Sequence, residues 1–163
     1  MKSPQAIPHK IFSHKDLRYQ VERWKFLGRK VAFTNGCFDI LHRGHIASLS
    51  DAAREADFLV VGLNSDASAR RLKGPGRPVV DQDSRALMLA SLAIVDAVII
   101  FEEDTPLELI GLVQPDVLVK GGDYTIDQIV GAAEVKGSGG RVVINPIITG
   151  FSSTGLMGKI NAL

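Results

Sequence analysis

The chain has 163 residues, with 45% hydrophobic and 23% charged residues, the balance of a globular protein long enough to bury one sizeable core. Nineteen basic residues against eighteen acidic leave a net charge of +1, which excludes nucleic-acid binding through bulk charge but not a small local anion site.

In chain order, residues 1 to 12 read as a loose arm with two prolines. A secretory signal would need an apolar core there, and no apolar run anywhere approaches the roughly 18 residues of a membrane span. A cytoplasmic protein without a membrane partner is expected. "SHKDLRYQVERWKFLGRK" follows as a helix, capped by Ser13 and ended by Gly28, with Leu17, Val21, Trp24 and Leu27 on one apolar face.

Short Val/Ile-rich runs then alternate with helix-period segments. The runs are 31–34, 58–63, 95–101, 116–119 and 141–145; the helices are expected near 44–56, 82–93, 105–112, 126–136 and 153–161. Near-continuous apolar runs imply strands buried on both faces, so the fold class is α/β: a single Rossmann-like, doubly wound domain around a five-stranded, mainly parallel sheet. Ligands of such sheets bind beyond the carboxyl ends of the strands. The unusual residues gather there, in "NGCFD", "NSD", "KGGDY" and "TGFSST".

"TNGCFDILHRGH" (34–45) sets two histidines around a glycine where strand gives way to helix. With the helix starting near Arg43, His42 and His45 stand one turn apart at its N-terminal end, where unpaired N–H groups attract phosphate. Imidazoles donate hydrogen bonds to phosphate oxygens and are cationic if their pKa rises. Gly44 lets a ligand press against the backbone. A lone histidine is more often a cap or surface group; the pair around a glycine favours an anion site. A zinc site lacks a third ligand nearby, and Cys37, the only cysteine, offers neither a disulfide nor a thiolate cluster.

Farther along, "RRLKGPGRPV" (70–79) is a basic loop, placed to overhang the same mouth and to bring Lys73 over a polyphosphate. "KGGDY" offers Asp123 to a ribose or sugar hydroxyl, or is simply a tight turn. Ser152, Ser153 and Thr154 open the last helix, either as an ordinary cap or as a second phosphate cradle. No nucleophile with a base is evident, and the Walker P-loop is absent. The set suits direct displacement at phosphorus, which needs positioning and charge stabilisation.

These segments resemble a known family. "TNGCFDILHRGH" is similar to the opening motif of the His-x-Gly-His nucleotidyltransferases, and "SSTGLMGKI" to their closing Ser-Thr-Thr motif, with Ser153 in place of the first threonine. "LNSDASARRLKGPGRPV", "LVKGGDY" and "TPLELI" look like one branch, the D-glycero-β-D-manno-heptose 1-phosphate adenylyltransferases. The resemblance spans roughly residues 30 to 161. It divides the chain into an N-terminal arm and helix (1–28) and a nucleotidyltransferase domain (29–163). Related glycerol-phosphate cytidylyltransferases carry an arginine before the closing motif, where this chain reads "NPIITG", and another where it has Ala93. Both absences favour the heptose branch.

The resemblance implies transfer of AMP from ATP to heptose 1-phosphate, giving ADP-heptose and pyrophosphate for the lipopolysaccharide core, with Mg²⁺ as cofactor. It implies that His42, His45 and Lys73 are catalytic. Thr34, Asn35, Gly36, Phe38, Gly44, Asp123, Ser152, Ser153 and Thr154 would line the nucleotide, while Arg77 and Arg85 would take the sugar phosphate. Asp39 would either order the turn or contact the sugar. A homo-oligomer is expected, and a heptose kinase on a separate protein. The alternatives are another sugar- or polyol-phosphate nucleotidyltransferase, such as a glycerol-3-phosphate cytidylyltransferase, and a nucleotide-binding sensor on the same fold.

Overall fold

A computed structural model describes residues 4–122, 124–146 and 150–160. Five strands, β1 (Val31–Gly36), β2 (Phe58–Asn64), β3 (Ala97–Phe101), β4 (Val117–Gly121) and β5 (Arg141–Asn145), form one sheet in the order β3-β2-β1-β4-β5. Every pairing is parallel, so the expected mainly parallel sheet is wholly so. Along β1 the side chains alternate between two cores: Val31 and Phe33 face one, Ala32 the other.

Helix α1 (His14–Phe26) closes the first core with α5 (Leu107–Val113) and α6 (Ala132–Gly137). Ser13 caps α1 by accepting the Asp16 N–H at 3.2 Å, and Gly28, at φ +71°, supplies the left-handed residue beyond its end. Leu17, Val21 and Trp24 are buried as their spacing predicts, whereas Leu27, expected on the same face, is the C-cap residue and is exposed; the Trp24 ring stacks on Phe58 with centroids 4.2 Å apart. Helices α2 (Arg43–Ala53) and α4 (Gln82–Ser91) close the second core through Leu49, Ala52, Ala86 and Leu89. Gly62 lets the sheet pack this tightly: a Cβ there would come within 2.9 Å of the Phe33 ring.

The chain runs outward from β1 through β2 to β3, then returns to β4 on the other side of β1. The β1–β4 pairing covers only Ala32–Val117 and Phe33–Leu118, whereas β1 stays paired to β2 as far as Gly36. The carboxyl ends of β1 and β4 therefore part, and a crevice opens at this topological switch point.

Three expectations need correction. Residues 66–73, read in part as a basic loop, form helix α3 (Asp66–Lys73), capped by Ser65 through the Ser68 N–H at 3.1 Å. Only after Lys73 does the chain turn, through Gly74 and Gly76 at φ +90° and +80°. The expected helix over 126–136 is a 3₁₀ turn (Ile126–Gln128) and α6, separated by Gly131 at φ +85°. Within the arm, residues 4–12 are held down: Ile7 and Ile11 pack on the second core, and Lys10 Nζ donates to the Leu92 and Val95 carbonyls at 3.1 and 2.7 Å.

Candidate functional site

The crevice at the β1/β4 switch point is a cleft of about 410 Å³. Its walls are the β1–α2 loop, the N-terminal ends of α2 and of α7 (Ser153–Ile160), the end of α3 and the end of β4.

The β1–α2 loop is strained into shape. Phe38 and Ile40 both adopt the left-handed region, at φ +46° and +52°, and for a β-branched residue this is an outlier. Between them Asp39 is almost completely buried. Its carboxylate accepts the Val79 N–H at 3.0 Å, the Val80 N–H at 3.1 Å and Arg77 Nε at 2.7 Å. The Asp39 carbonyl accepts the Ser153 hydroxyl. One residue thus ties the β1 turn to the segment after α3 and to the start of α7. Burial alone would raise the Asp39 pKa, but the two N–H groups and the Arg77 guanidinium hold it below the usual carboxylate range. Of the two expectations for Asp39, its contacts are those of turn-ordering.

Beyond the loop, His42 is the N-cap of α2. Its Nδ1 accepts the N–H groups of Gly44 and His45 at 3.1 and 3.4 Å, which leaves Nε2 to carry the proton. The His45 ring stacks on His42, centroids 3.8 Å apart and planes 19° apart, while Phe38 meets its edge. A Cβ on Gly44 would lie 3.0 Å from the His42 ring and 3.3 Å from Phe151 Cβ. Glycine is needed there so that His42 can fold back over the turn.

Of the two ways an imidazole can meet a phosphate, as a hydrogen-bond donor or as a cation, the surroundings favour the first. Burial lowers the His42 pKa; burial and the neighbouring His42 lower that of His45 to about 4, with Asp39 opposing weakly. In the free protein both rings are neutral near pH 7. Neutral rings can offer N–H donors but no positive charge. His45 Nδ1 is buried without a hydrogen-bond partner among the described residues.

Opposite them, Ser152 caps α7 through the Gly155 N–H at 3.0 Å, and Ser152, Ser153 and Thr154 all face the cleft. Thr34, Asn35, Gly36, Phe38, Gly44, Lys73 and Arg77 line it as well. Lys73 reaches it from the last residue of α3, not from a loop. Among the described residues the cleft therefore gathers two helix N-termini, two ring N–H donors and several cations, together with the thiol of Cys37. Burial pushes the Cys37 thiol up, away from reactivity.

Arg85 is not in the cleft. It is completely buried, and its guanidinium donates to the carbonyls of Val80, Cys37 and Asn64 and to the Asp66 carboxylate, at 2.6 to 2.9 Å. With its donors spent inside the protein, it braces the β1 turn from beneath. Asp123 lies outside the described residues. Sequence reasoning missed Lys120, Ser48 and Tyr124, which line the cleft. For Lys120 the signal was there: a lysine at the carboxyl end of a strand otherwise apolar.

A doubly wound parallel sheet with an anion-collecting crevice at its switch point defines a nucleotide-binding α/β protein. The family model for cytidylyltransferase-like proteins matches residues 33–154. The chain belongs to that family, and with it to the nucleotidyltransferase enzymes.

Among relatives, it is 57% identical to the bifunctional protein HldE of Mesorhizobium japonicum over 98% of this chain and 32% of that one. It is 59% identical to HldE of Paramagnetospirillum magneticum over 86% and 29%. The chain thus spans about a third of the length of these curated relatives. A crystal structure of a lipopolysaccharide core biosynthesis protein from Thermoplasma volcanium superposes with a TM-score of 0.62 at 30% identity, covering 74% of this chain and 98% of that one. The pantoate-β-alanine ligase of Francisella tularensis, at 16% identity and a TM-score of 0.62, shares the fold. Among the described residues no helix is long and apolar enough to cross a membrane.

Proposed function

We propose that the chain transfers AMP from ATP to D-glycero-β-D-manno-heptose 1-phosphate, releasing pyrophosphate and forming ADP-heptose for the lipopolysaccharide core. One observation carries the reaction class: the stacked His42–His45 pair faces a second helix N-terminus across a cleft whose thiol, Cys37, is not activated. Such a site stabilises charge on phosphate oxygens and forms no covalent intermediate. A phosphate oxygen of the acceptor attacks the α-phosphorus, one P–O bond forms, and the bond to the β-phosphate breaks with its electron pair leaving on pyrophosphate. His42 Nε2–H and His45 donate to oxygens that gain charge in that step. Ser152, Ser153, Thr154 and the N–H groups of α7 hold the outer phosphates, Lys73 reaches the phosphates from the end of α3, and Arg77, which also pairs with Asp39, takes the sugar phosphate.

The choice of heptose is supported by the motifs around Lys73 and Lys120 and by the lipopolysaccharide-core neighbour. A kinase step must supply the heptose 1-phosphate. Mg²⁺ fits only as a complex with the triphosphate. Among the described residues no three His, Cys, Asp or Glu side chains converge on a metal seat, and Asp39 has both oxygens engaged. We place the reaction in the cytoplasm, where ATP is made, and expect a homo-oligomer, which light scattering after gel filtration would read directly.

The test is pyrophosphate release from ATP, CTP and GTP against a panel of sugar 1-phosphates and glycerol 3-phosphate. ATP with heptose 1-phosphate should give the highest kcat/KM. If glycerol 3-phosphate with CTP does as well, the substrate assignment is wrong; if no pair releases pyrophosphate, the reaction class is wrong.

A further inference from the structure

Behind the cleft lies a second cavity of about 370 Å³, between the ends of α3 and β4 and the residues before α5. The two share a wall that includes Lys73 and Lys120. The far side of the second cavity is of another character: Thr105 and the partly engaged amides of Asn64 and Gln128 lie beside the apolar Leu72, Ile129 and Val130, and the one carboxylate among its described residues, Asp104, is paired with Arg71. This is a lining for a hydroxylated body rather than for a second string of phosphates.

Lys120 is unusual among the lysines with described partners. Lys30 is paired with Asp116, while Lys10 and Lys25 reach backbone carbonyls at the end of the molecule away from the cleft. Lys120 is drawn into the protein, and its described partner is the neutral Asn35 Oδ1 at 3.3 Å. No carboxylate lies within ion-pair distance of it among the described residues. Burial above all disfavours its charge, with Cys37 opposing and Lys73 adding to it, which agrees with a cation left waiting for an anion. Withdrawing an ammonium from water without a counter-charge is costly, and a bound anion at that wall would remove the cost.

Resting on the nucleotidyl-transfer reading, we infer that Lys120 is the acceptor-phosphate residue: with Lys73 it holds the acceptor's monophosphate at the wall shared by the two cavities, and the second cavity takes the hydroxylated body. The ATP phosphates have their own seat at His42, His45 and the start of α7. Lys120 therefore sets acceptor affinity and aims an acceptor oxygen into the cleft, without serving the nucleotide.

Two substitutions test this, Lys120→Gln and Lys120→Arg. Calorimetry measures binding of a sugar 1-phosphate in the presence of a non-hydrolysable ATP analogue, and of the analogue alone; thermal melting is followed in parallel. Lys120→Gln should weaken sugar-phosphate binding about ten- to a hundredfold, as expected for a lost charge-assisted contact, with analogue binding unchanged within about twofold. Lys120→Arg should recover part of the loss. The Tm of the free Lys120→Gln protein should hold or rise, because an unpaired buried cation has gone; a purely structural lysine would lower it. Equal weakening of both ligands, or of neither, overturns the inference. The binding arm needs no turnover. A wild-type protein that binds sugar phosphate through Lys120 yet releases no pyrophosphate would refute the reaction and keep this assignment, whereas active protein indifferent to Lys120→Gln would do the reverse.

Discussion

The two edges of the sheet are built on opposite rules. At the amino-terminal edge three aspartates close the strand entrances. Asp57 accepts the Lys30 N–H at 2.8 Å, Asp116 the Val31 N–H at 2.9 Å, and Asp96 the Leu59 N–H at 2.8 Å. Lys30 and Arg29 then pair with Asp116 and Asp57. Donors and acceptors there satisfy one another. At the carboxyl edge the described groups are arranged with donors left over: His42 Nε2, Lys73, Lys120 and those N–H groups at the starts of α2 and α7 that the His42 and Ser152 caps do not take. The loop that leads into His42 is held in left-handed conformations by a buried carboxylate. One edge serves folding; the other is held ready for an anion by strain and burial whose cost the rest of the fold covers.

Breaking the carboxyl edge at its chemistry should have the largest effect. His45→Ala is expected to fold and to lose turnover by about 10²–10³, roughly 2.7–4 kcal/mol of transition-state stabilisation, the usual worth of a preorganised donor. Steady-state pyrophosphate release on protein checked by circular dichroism measures it. Near-wild-type activity in a folded variant would remove His45 from the mechanism. Next comes the anchor. Asp39→Asn leaves Arg77 buried without its counter-charge and should lower stability by about 3 kcal/mol, with KM for ATP rising more than kcat falls. A denaturant melt and a KM-against-kcat comparison read the two arms; a change in kcat alone would make Asp39 a chemical participant instead.

The amino edge should respond differently. Asp116→Asn removes the Lys30 pair and weakens the acceptor for Val31 N–H, at a cost of about 1–2 kcal/mol, but kcat/KM per folded molecule should not move. If activity falls with stability, the two edges are coupled and the division fails.

Much of the division was legible beforehand. Five apolar runs gave the strands to within about two residues, and "HRGH" with "SST" located both helix N-termini. Helix α3 was missed because its buried residues are Ser68 and Ala69, too small to register as an apolar stripe, while glycine and proline after Lys73 signalled a loop. Arg85 was misplaced because a sequence records charge but not burial. Nothing local distinguishes an arginine that binds substrate from one whose donors are spent on Cys37, Asn64, Val80 and Asp66. Lys120 failed for the converse reason: a lysine ending an apolar strand was visible, but that no carboxylate among the described residues pairs with it was not.

Acid sharpens the contrast. His45 has a folded pKa of about 4 against an ordinary value of 6.5. Between those values the unfolded chain binds a proton that the folded chain refuses, so stability should fall as pH drops through the window. The Asp39 contribution is complete above the ordinary carboxylate pKa and is lost only as pH falls through its lowered folded value. Melting curves from pH 7 to 5 should slope downward in the wild type and less steeply in His45→Ala. Parallel slopes would mean that the histidine stack is solvated and its burial immaterial.

The smallest effect belongs to the residue that catches the eye in "TNGCFD". Cys37 lines both cavities, yet its thiol is kept protonated by burial, and its structural contact is the backbone carbonyl that accepts Arg85. A serine preserves that carbonyl and nearly the same volume. Cys37→Ser should therefore hold kcat/KM within about twofold and Tm within a few degrees, as is usual for a near-isosteric change without a special contact. A tenfold loss would show that position in the cleft is enough to matter. Retained activity would show that the carboxyl edge works through its charges and N–H donors, and that a side chain supplying neither is replaceable even at the centre of the site.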